Sequence, residues 1–370
     1  MTIYVEERLP GPALSPRRPM PNELFLSNYL LATYGGCEFA CPYCDLATTT
    51  IRPLGETTHV YVDAPMRLDR ELDEIDEGDV VGLILSEPYQ PAEREHRVTR
   101  RALQVLAALG QPTVILTKSP NVLDDLRLLE VIHERALCVV IFSLPTVDPH
   151  LSAKLEGRAP APQLRLDAAQ VLHRAGIPVG FAVLPIIPYV TDQTNHLVRT
   201  LNKIAATGAE FVVWDYLGIP NERHRERIDD MLGQIARIPA SYYRDIYGSK
   251  PYPGLDYRRR LDEELIRRCD MLGLDVRVPQ RIYHRRIAVS NEIALMLRHQ
   301  AFRDASQGRD RLAALHRSLA EEAFLGRFDQ VRLMQSPLWT AIDNLLNPRR
   351  APGEAEHDDS DHAESPSGGS

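Results

Sequence analysis

Three cysteines fall within eight residues, Cys37, Cys41 and Cys44 in GCEFACPYC, spaced C-x3-C-x2-C. Thiolates this close on one short loop bind a soft metal centre, either zinc or an iron–sulfur cluster. A structural zinc site wants four ligands, and no fourth ligand stands in the loop; His59 is a candidate from further along the chain. Three thiolates on a four-iron cluster instead leave one iron open to a substrate or cosubstrate. Two further cysteines, Cys138 and Cys269, lie far from the loop. An odd count of five argues against a disulfide framework and suits a reducing cytoplasm.

The loop must be carried by regular elements, and these repeat. Apolar, β-branched runs alternate with amphipathic helical stretches: NYLLATYGG, DVVGLILSEP, PTVILTKS, LCVVIFSLP, IPVGFAVLPIIP and EFVVWDYLG. Between them, HRVTRRALQVLAALG puts Val98, Ala102, Val105, Leu106 and Leu109 on one helical face, and RLDAAQVLHRAG stops at Gly176, a C-cap signal. Strands this apolar on both faces indicate a parallel sheet covered by helices. Six such units predict an α/β fold, a partial (β/α)6 TIM-like barrel with its chemistry at the C-terminal strand ends. LDVRVPQ is a candidate late strand.

Residues 1–24 read as an N-terminal extension, 25–220 as the partial barrel, 221–346 as a mainly helical C-terminal elaboration and 347–370 as a disordered tail without aromatic or β-branched residues. The 370-residue chain carries a formal net charge of −8, which argues against a general polyanion binder. MTIYVEERLPG lacks the apolar stretch of a signal peptide, and no apolar run approaches the roughly 18 residues of a membrane helix. There is no Walker-type phosphate loop, no H-E-x-x-H and no second cysteine cluster. On LCVVIFS, period two sends Cys138 outward under a helix if Ser143 faces the lumen; Cys269 shares a helical face with Leu261, Leu265 and Leu272. Both read as core. Tyrosines and arginines between Tyr242 and Arg260 read as a folded connection on the barrel rather than a nucleic-acid surface.

The cysteine spacing, with Tyr43 before its last member, resembles the defining motif of the radical S-adenosylmethionine (SAM) superfamily. SEPYQPAEREHRVTRRAL, ILTKS, FSLPTVD, LEGRAPAPQLRLDAAQVLHRAGI and LPIIP follow in order, and together they resemble the spore photoproduct lyase-like branch. The resemblance implies a [4Fe-4S] cluster on Cys37, Cys41 and Cys44 and SAM chelated to its open iron. Reductive cleavage would then give a 5′-deoxyadenosyl radical that takes hydrogen from a substrate, with an electron from a donor such as flavodoxin or ferredoxin. It also implies cofactor contacts: Ser86 and Glu87 near the SAM amino group, Lys118, Arg165 and Arg158 as cations for the carboxylate, and Ser143 for ribose or carboxylate. Tyr43 would lie near adenine, against an apolar wall of Leu184, Pro185 and Ile186. In photoproduct lyases a further barrel cysteine returns hydrogen to the lesion; LILSEPYQP has none here, and Asp45 stands where the lyases have tyrosine. True lesion repair is therefore disfavoured. Tyr89 is a candidate radical relay, with hydrogen-bonded packing the simpler role. The alternatives are lesion repair and a non-catalytic metal-binding protein whose loop holds zinc.

Overall fold

The structure, a computed structural model, describes residues 2–44, 54–235 and 240–348. Asp45 and nearly all of the expected tail lie outside these residues.

Among the described residues, ten strands form two sheets. A small sheet contains β1 (Ile3–Glu7), β3 (Tyr34–Gly35) and β4 (Thr57–Tyr61), in the order β1-β4-β3. The principal sheet contains β2 (Tyr29–Leu30), β5 (Val81–Leu83), β6 (Thr113–Thr117), β7 (Cys138–Ser143), β8 (Val179–Ile186), β9 (Phe211–Tyr216) and β10 (Asp275–Val276). Its order is β10-β9-β8-β7-β6-β5-β2, and every pairing is parallel. This is the expected partial barrel, with LDVRVPQ supplying a seventh short strand. NYLLATYGG divides between the two sheets, so the cysteine loop leaves from the small sheet rather than from the barrel wall.

Alternation along β7 shows how the layers form. Cys138, Val140 and Phe142 pack outward with helix residues Leu103, Leu106, Leu129 and Leu172, while Val139 and Ile141 pack inward with Val80, Val114 and Val213. Every residue of β7 is buried, as a parallel strand between two covered faces requires. Cys138 therefore sits in the outer layer, and Cys269 is buried with Leu265 and Ile266 on helix Leu255–Leu272.

Helix Val98–Leu109 buries Val98, Ala102, Leu103 and Leu106 and ends at Gly110, whose φ of 70° is the left-handed conformation a C-cap needs. Full burial of one such leucine is worth about 1.5–3 kcal/mol. Leu109, expected on the same face, is exposed; Leu103 takes its place because the buried stripe is centred between Ala102 and Leu106.

Beyond β9 the chain is mainly helical, including Glu222–Ile235, Ala240–Tyr247, Leu255–Leu272, Val289–Ser306, Asp310–Phe324 and Trp339–Leu346. The tyrosine-rich connection packs on the barrel: Tyr243 donates to the Pro188 carbonyl at 2.7 Å, Tyr247 to the Leu217 carbonyl at 2.8 Å and Tyr257 to Asp192 at 2.7 Å. No helix among the described residues is long and apolar enough to cross a membrane.

Candidate active site

The cysteine loop is held from both sides. Gly36, just after β3, has φ of +84°, and a Cβ there would lie 2.9 Å from the Thr57 carbonyl oxygen, so glycine is needed at the turn. Glu38 is buried between Cys37 and Cys41; its carboxylate accepts from the Ala92 amide at 2.8 Å and from the Tyr4 hydroxyl at 3.1 Å. Its own amide donates to Gln90 at 3.0 Å. Both sheets thus pin the loop, with Tyr4 on β1 and Gln90 and Ala92 following β5.

The three cysteines face a cavity of about 600 Å³ at the C-terminal ends of the strands. Its wall also contains Tyr43, Ser86, Glu87, Lys118, Ser143, Leu184 and Pro185, so most of the residues expected to contact SAM converge here. Burial pushes the Cys41 thiol up to about 12, against the opposing pull of Lys118. Burial, reinforced by Glu87 and Cys44, pushes the Cys37 thiol higher still. Thiols in this state ionise when a cation takes their charge, which is the linkage expected of a metal site.

The donor set fits an iron–sulfur cluster better than zinc. It offers three soft sulfurs on one rim, and the proposed fourth zinc ligand, His59, lies on β4 with Nδ1 2.9 Å from Glu7. Among the described residues no group of three or more His, Cys, Asp or Glu side chains is already gathered to ligand distance. The sulfurs share the cavity rim without being drawn onto a common point.

Glu87 is buried and its oxygens are engaged: it accepts from the Thr117 hydroxyl, the Lys118 amide at 2.8 Å and the Tyr89 amide at 3.1 Å. Burial raises its pKa, and those hydrogen bonds only partly offset the rise. Ser86 donates to the Tyr34 carbonyl at 3.1 Å. Lys118 donates to Ser143 at 3.0 Å, lies 3.7 Å from Glu156 and sits 5.8 Å over the Tyr43 ring. Burial works against the lysine charge, but Cys41 and Glu156 outweigh it and its pKa is raised. A cation is therefore held at the cavity wall beside the cysteine loop.

Three expected contacts fall elsewhere. Arg165 is fully buried and spent: Nη1 donates to the Ser143 carbonyl at 2.8 Å, Nη2 to the Pro160 carbonyl at 2.7 Å, and Nη2 lies 2.6 Å from Glu156. Arg158 is exposed and donates to the Gly55 carbonyl at 3.2 Å. Ile186 packs in the outer core with Phe181 and Val183, because an irregularity between Val183 and Ile186 breaks the period-two alternation that would otherwise turn it to the lumen. Tyr89 is buried with its hydroxyl on Asp125 at 3.1 Å and does not line the cavity.

Sequence reasoning missed Glu156, which accepts from the Tyr43 hydroxyl and pairs with Arg165. Burial opposes its ionisation, yet Arg165 and then Lys118 hold its carboxyl below the usual range. Its only signal was a carboxylate beside the quoted arginine in LEGRAPAP. Asp215, at the end of EFVVWDYLG, had the same strand-end signal as Glu87. Arg18 and Asn22 reach the wall from the N-terminal extension, and Tyr252 from the tyrosine-rich connection, with no local signal.

The site is thus a three-cysteine loop and a cavity at the C-terminal mouth of an open parallel barrel. Residues 31–201 match the family model described as the Radical SAM superfamily, and the chain carries a radical SAM domain. Members of that superfamily are enzymes. An uncharacterised protein of Mycobacterium tuberculosis is 29% identical over 265 residues, covering 66% of this chain and 75% of its own length. An uncharacterised protein of Methanocaldococcus jannaschii is 26% identical over 176 residues, 46% of this chain and 65% of the relative. Among solved structures, spore photoproduct lyase complexed with dinucleoside spore photoproduct is similar with a TM-score of 0.58 at 16% identity, covering 74% of this chain and 81% of that one. At that identity the likeness establishes the fold.

Proposed function

We propose that this protein is a radical SAM enzyme whose [4Fe-4S] cluster is held by Cys37, Cys41 and Cys44. The observation that carries this reading is the convergence of all three thiols with Ser86, Glu87, Lys118 and Ser143 on one cavity. Held there by the three thiolates, the cluster would supply the electron for reductive cleavage of SAM and so the means of taking hydrogen from a substrate.

The chain's own residues bind, orient and shield. Lys118 supplies a fixed positive charge for the SAM carboxylate, and Ser143 orients that ammonium. Ser86 and the Glu87 segment offer oxygen acceptors at the end of β5 for the SAM amino group. Tyr43 locks the cluster loop to Glu156 through its hydroxyl, while Leu184 and Pro185 present apolar surface to the adenine. Arg165 acts behind this layer, as a positioning residue for Glu156 and the end of β7. An electron donor such as flavodoxin or ferredoxin is required.

Lesion repair is the weaker reading. Among the described residues lining the cavity, the cysteines are the three of the loop, which leaves no further thiol to return hydrogen. The test is 5′-deoxyadenosine formation by anaerobically reconstituted protein with SAM and dithionite, beside a Cys37/Cys41/Cys44→Ala control. Product from the wild type alone supports the reading; bound zinc with no SAM affinity overturns it.

A further inference from the structure

The cavity carries a second polar wall that the cofactor contacts above do not use. Arg18 and Asn22 lie on one part of it, and Asp215, at the end of β9, on another. In the principal sheet, β8 separates β9 from β7, so Asp215 stands apart from the Lys118–Ser143 pair.

Neither charge on this wall is consumed in an ion pair among the described residues, although the Arg277 and Arg258 guanidiniums act on Asp215 through space. Arg18 is half-buried and anchored through its backbone amide to the Asn28 carbonyl at 2.9 Å, but its Nε is buried with no hydrogen-bond partner. Asn22 uses its carbonyl oxygen on the amides of Leu24 and Phe25, at 2.8 and 3.0 Å, which leaves its NH2 group as the end that donates. Asp215 breaks the run of buried residues along β9, and one of its oxygens accepts from the Tyr216 amide at 2.8 Å. Neither Arg18 nor Asp215 forms an ion pair with the other described residues. Behind Asp215, the Arg277 guanidinium is buried 3.9 Å over the Phe302 ring, and Asp262 holds Trp214 and Tyr216 at 2.7 and 2.6 Å. The wall is thus rigid where Asp215 leaves it.

Opposite charges that face one cavity without pairing favour a ligand that brings both complements. We infer that Arg18, Asn22 and Asp215 form the substrate subsite, and that it takes a small molecule carrying an anionic group and an ammonium or similar donor. The anion, a carboxylate or a phosphate, meets Arg18 and Asn22; the donor meets Asp215. This deepens the proposed function and rests on it only for the chemistry that follows binding.

O-phosphoethanolamine and β-alanine each combine an anion and an ammonium in a small molecule, and separate phosphate from carboxylate as the source. They are titrated calorimetrically into anaerobically reconstituted protein saturated with SAM, and into the metal-free protein. One of them is expected to bind the wild type, with affinity reduced at least tenfold in Arg18→Gln and in Asp215→Asn. Iron content, circular dichroism and SAM affinity should stay within twofold of wild type. The inference is overturned if neither probe binds, if both variants bind as the wild type does, or if the variants lose SAM affinity by the same factor, which would assign these residues to the cosubstrate. Absence of cluster or SAM binding in the wild type would sink the proposed function, while the titration of metal-free protein would still decide the subsite.

Discussion

Arg165 and Glu156 form a fully buried ion pair, 2.6 Å apart, behind the cavity wall. The arginine also ties the pair to the last carbonyl of β7, and the carboxylate ties it to Tyr43 on the cluster loop. Removing Arg165 leaves the buried Glu156 charge with only Lys118 at 3.7 Å and the Tyr43 hydroxyl beside it; breaking a buried pair in this way costs about 3–5 kcal/mol at most. Arg165→Met should therefore lower the urea midpoint strongly. The double variant Arg165→Met/Glu156→Gln should recover part of the loss; no recovery would mean the two residues act independently.

Lys118 is a cation on the cavity wall that the three cysteines share. Loss of a charge-assisted contact is worth about 1.5–3 kcal/mol, so Lys118→Ala should weaken SAM binding by about tenfold to a hundredfold. Equilibrium dialysis reads this directly. Iron content should remain at the wild-type level, since the lysine is not a ligand.

The cysteines divide by layer. Cys41→Ala should abolish cluster assembly, seen as loss of iron and sulfide. Cys138 lies in the outer core, away from the lumen, and Cys138→Ala should leave 5′-deoxyadenosine formation intact. Lost turnover in a folded, cluster-loaded Cys138 variant would contradict that placement.

Gly36→Ala should disturb the loop without touching a ligand. The left-handed backbone alone costs a non-glycine residue about 1–2 kcal/mol, and its Cβ would also meet a backbone oxygen. A lower melting temperature and fewer irons per chain are the expected readouts.

Burial lowers the pKa of His299 from its ordinary 6.5 to about 4, with Arg277 adding to the effect and Nε2 held 3.1 Å from the Glu23 carbonyl. Between those values the unfolded chain binds a proton that the folded chain does not. Acid therefore favours unfolding, and stability should fall as pH drops from about 6.5 to about 4. The fall should be shallower in His299→Gln, measured by melting temperature across that window.

Much of this was legible in the residues. Ligand spacing is a local property, so the cysteine loop identified itself. Apolar runs of strand length, separated by helices, announced the parallel sheet, and period two along LCVVIFS correctly divided Cys138 from Ser143. Even the short strand in LDVRVPQ was visible, because its apolar residues alternate. Strand ends also marked Ser86, Glu87 and Lys118 as residues of one cavity, since parallel strands deliver their C-terminal ends to a common edge.

What spacing did not reveal was where long or distant side chains would go. Arg158 and Arg165 stand in the same short segment, yet one is exposed and the other entirely buried on Glu156 and two carbonyls. An arginine's direction depends on which acceptors surround it, and those come from other parts of the chain. Arg18 and Asp215 illustrate the same limit, brought to one cavity only when the N-terminal extension folds against the open barrel. The sequence by itself determined the cysteine spacing, the strand periodicity and the edge to which the strand-end residues are delivered. The tertiary structure decided which charges are neutralised in the wall and which remain to meet a ligand, because pairing depends on distances in space rather than along the chain.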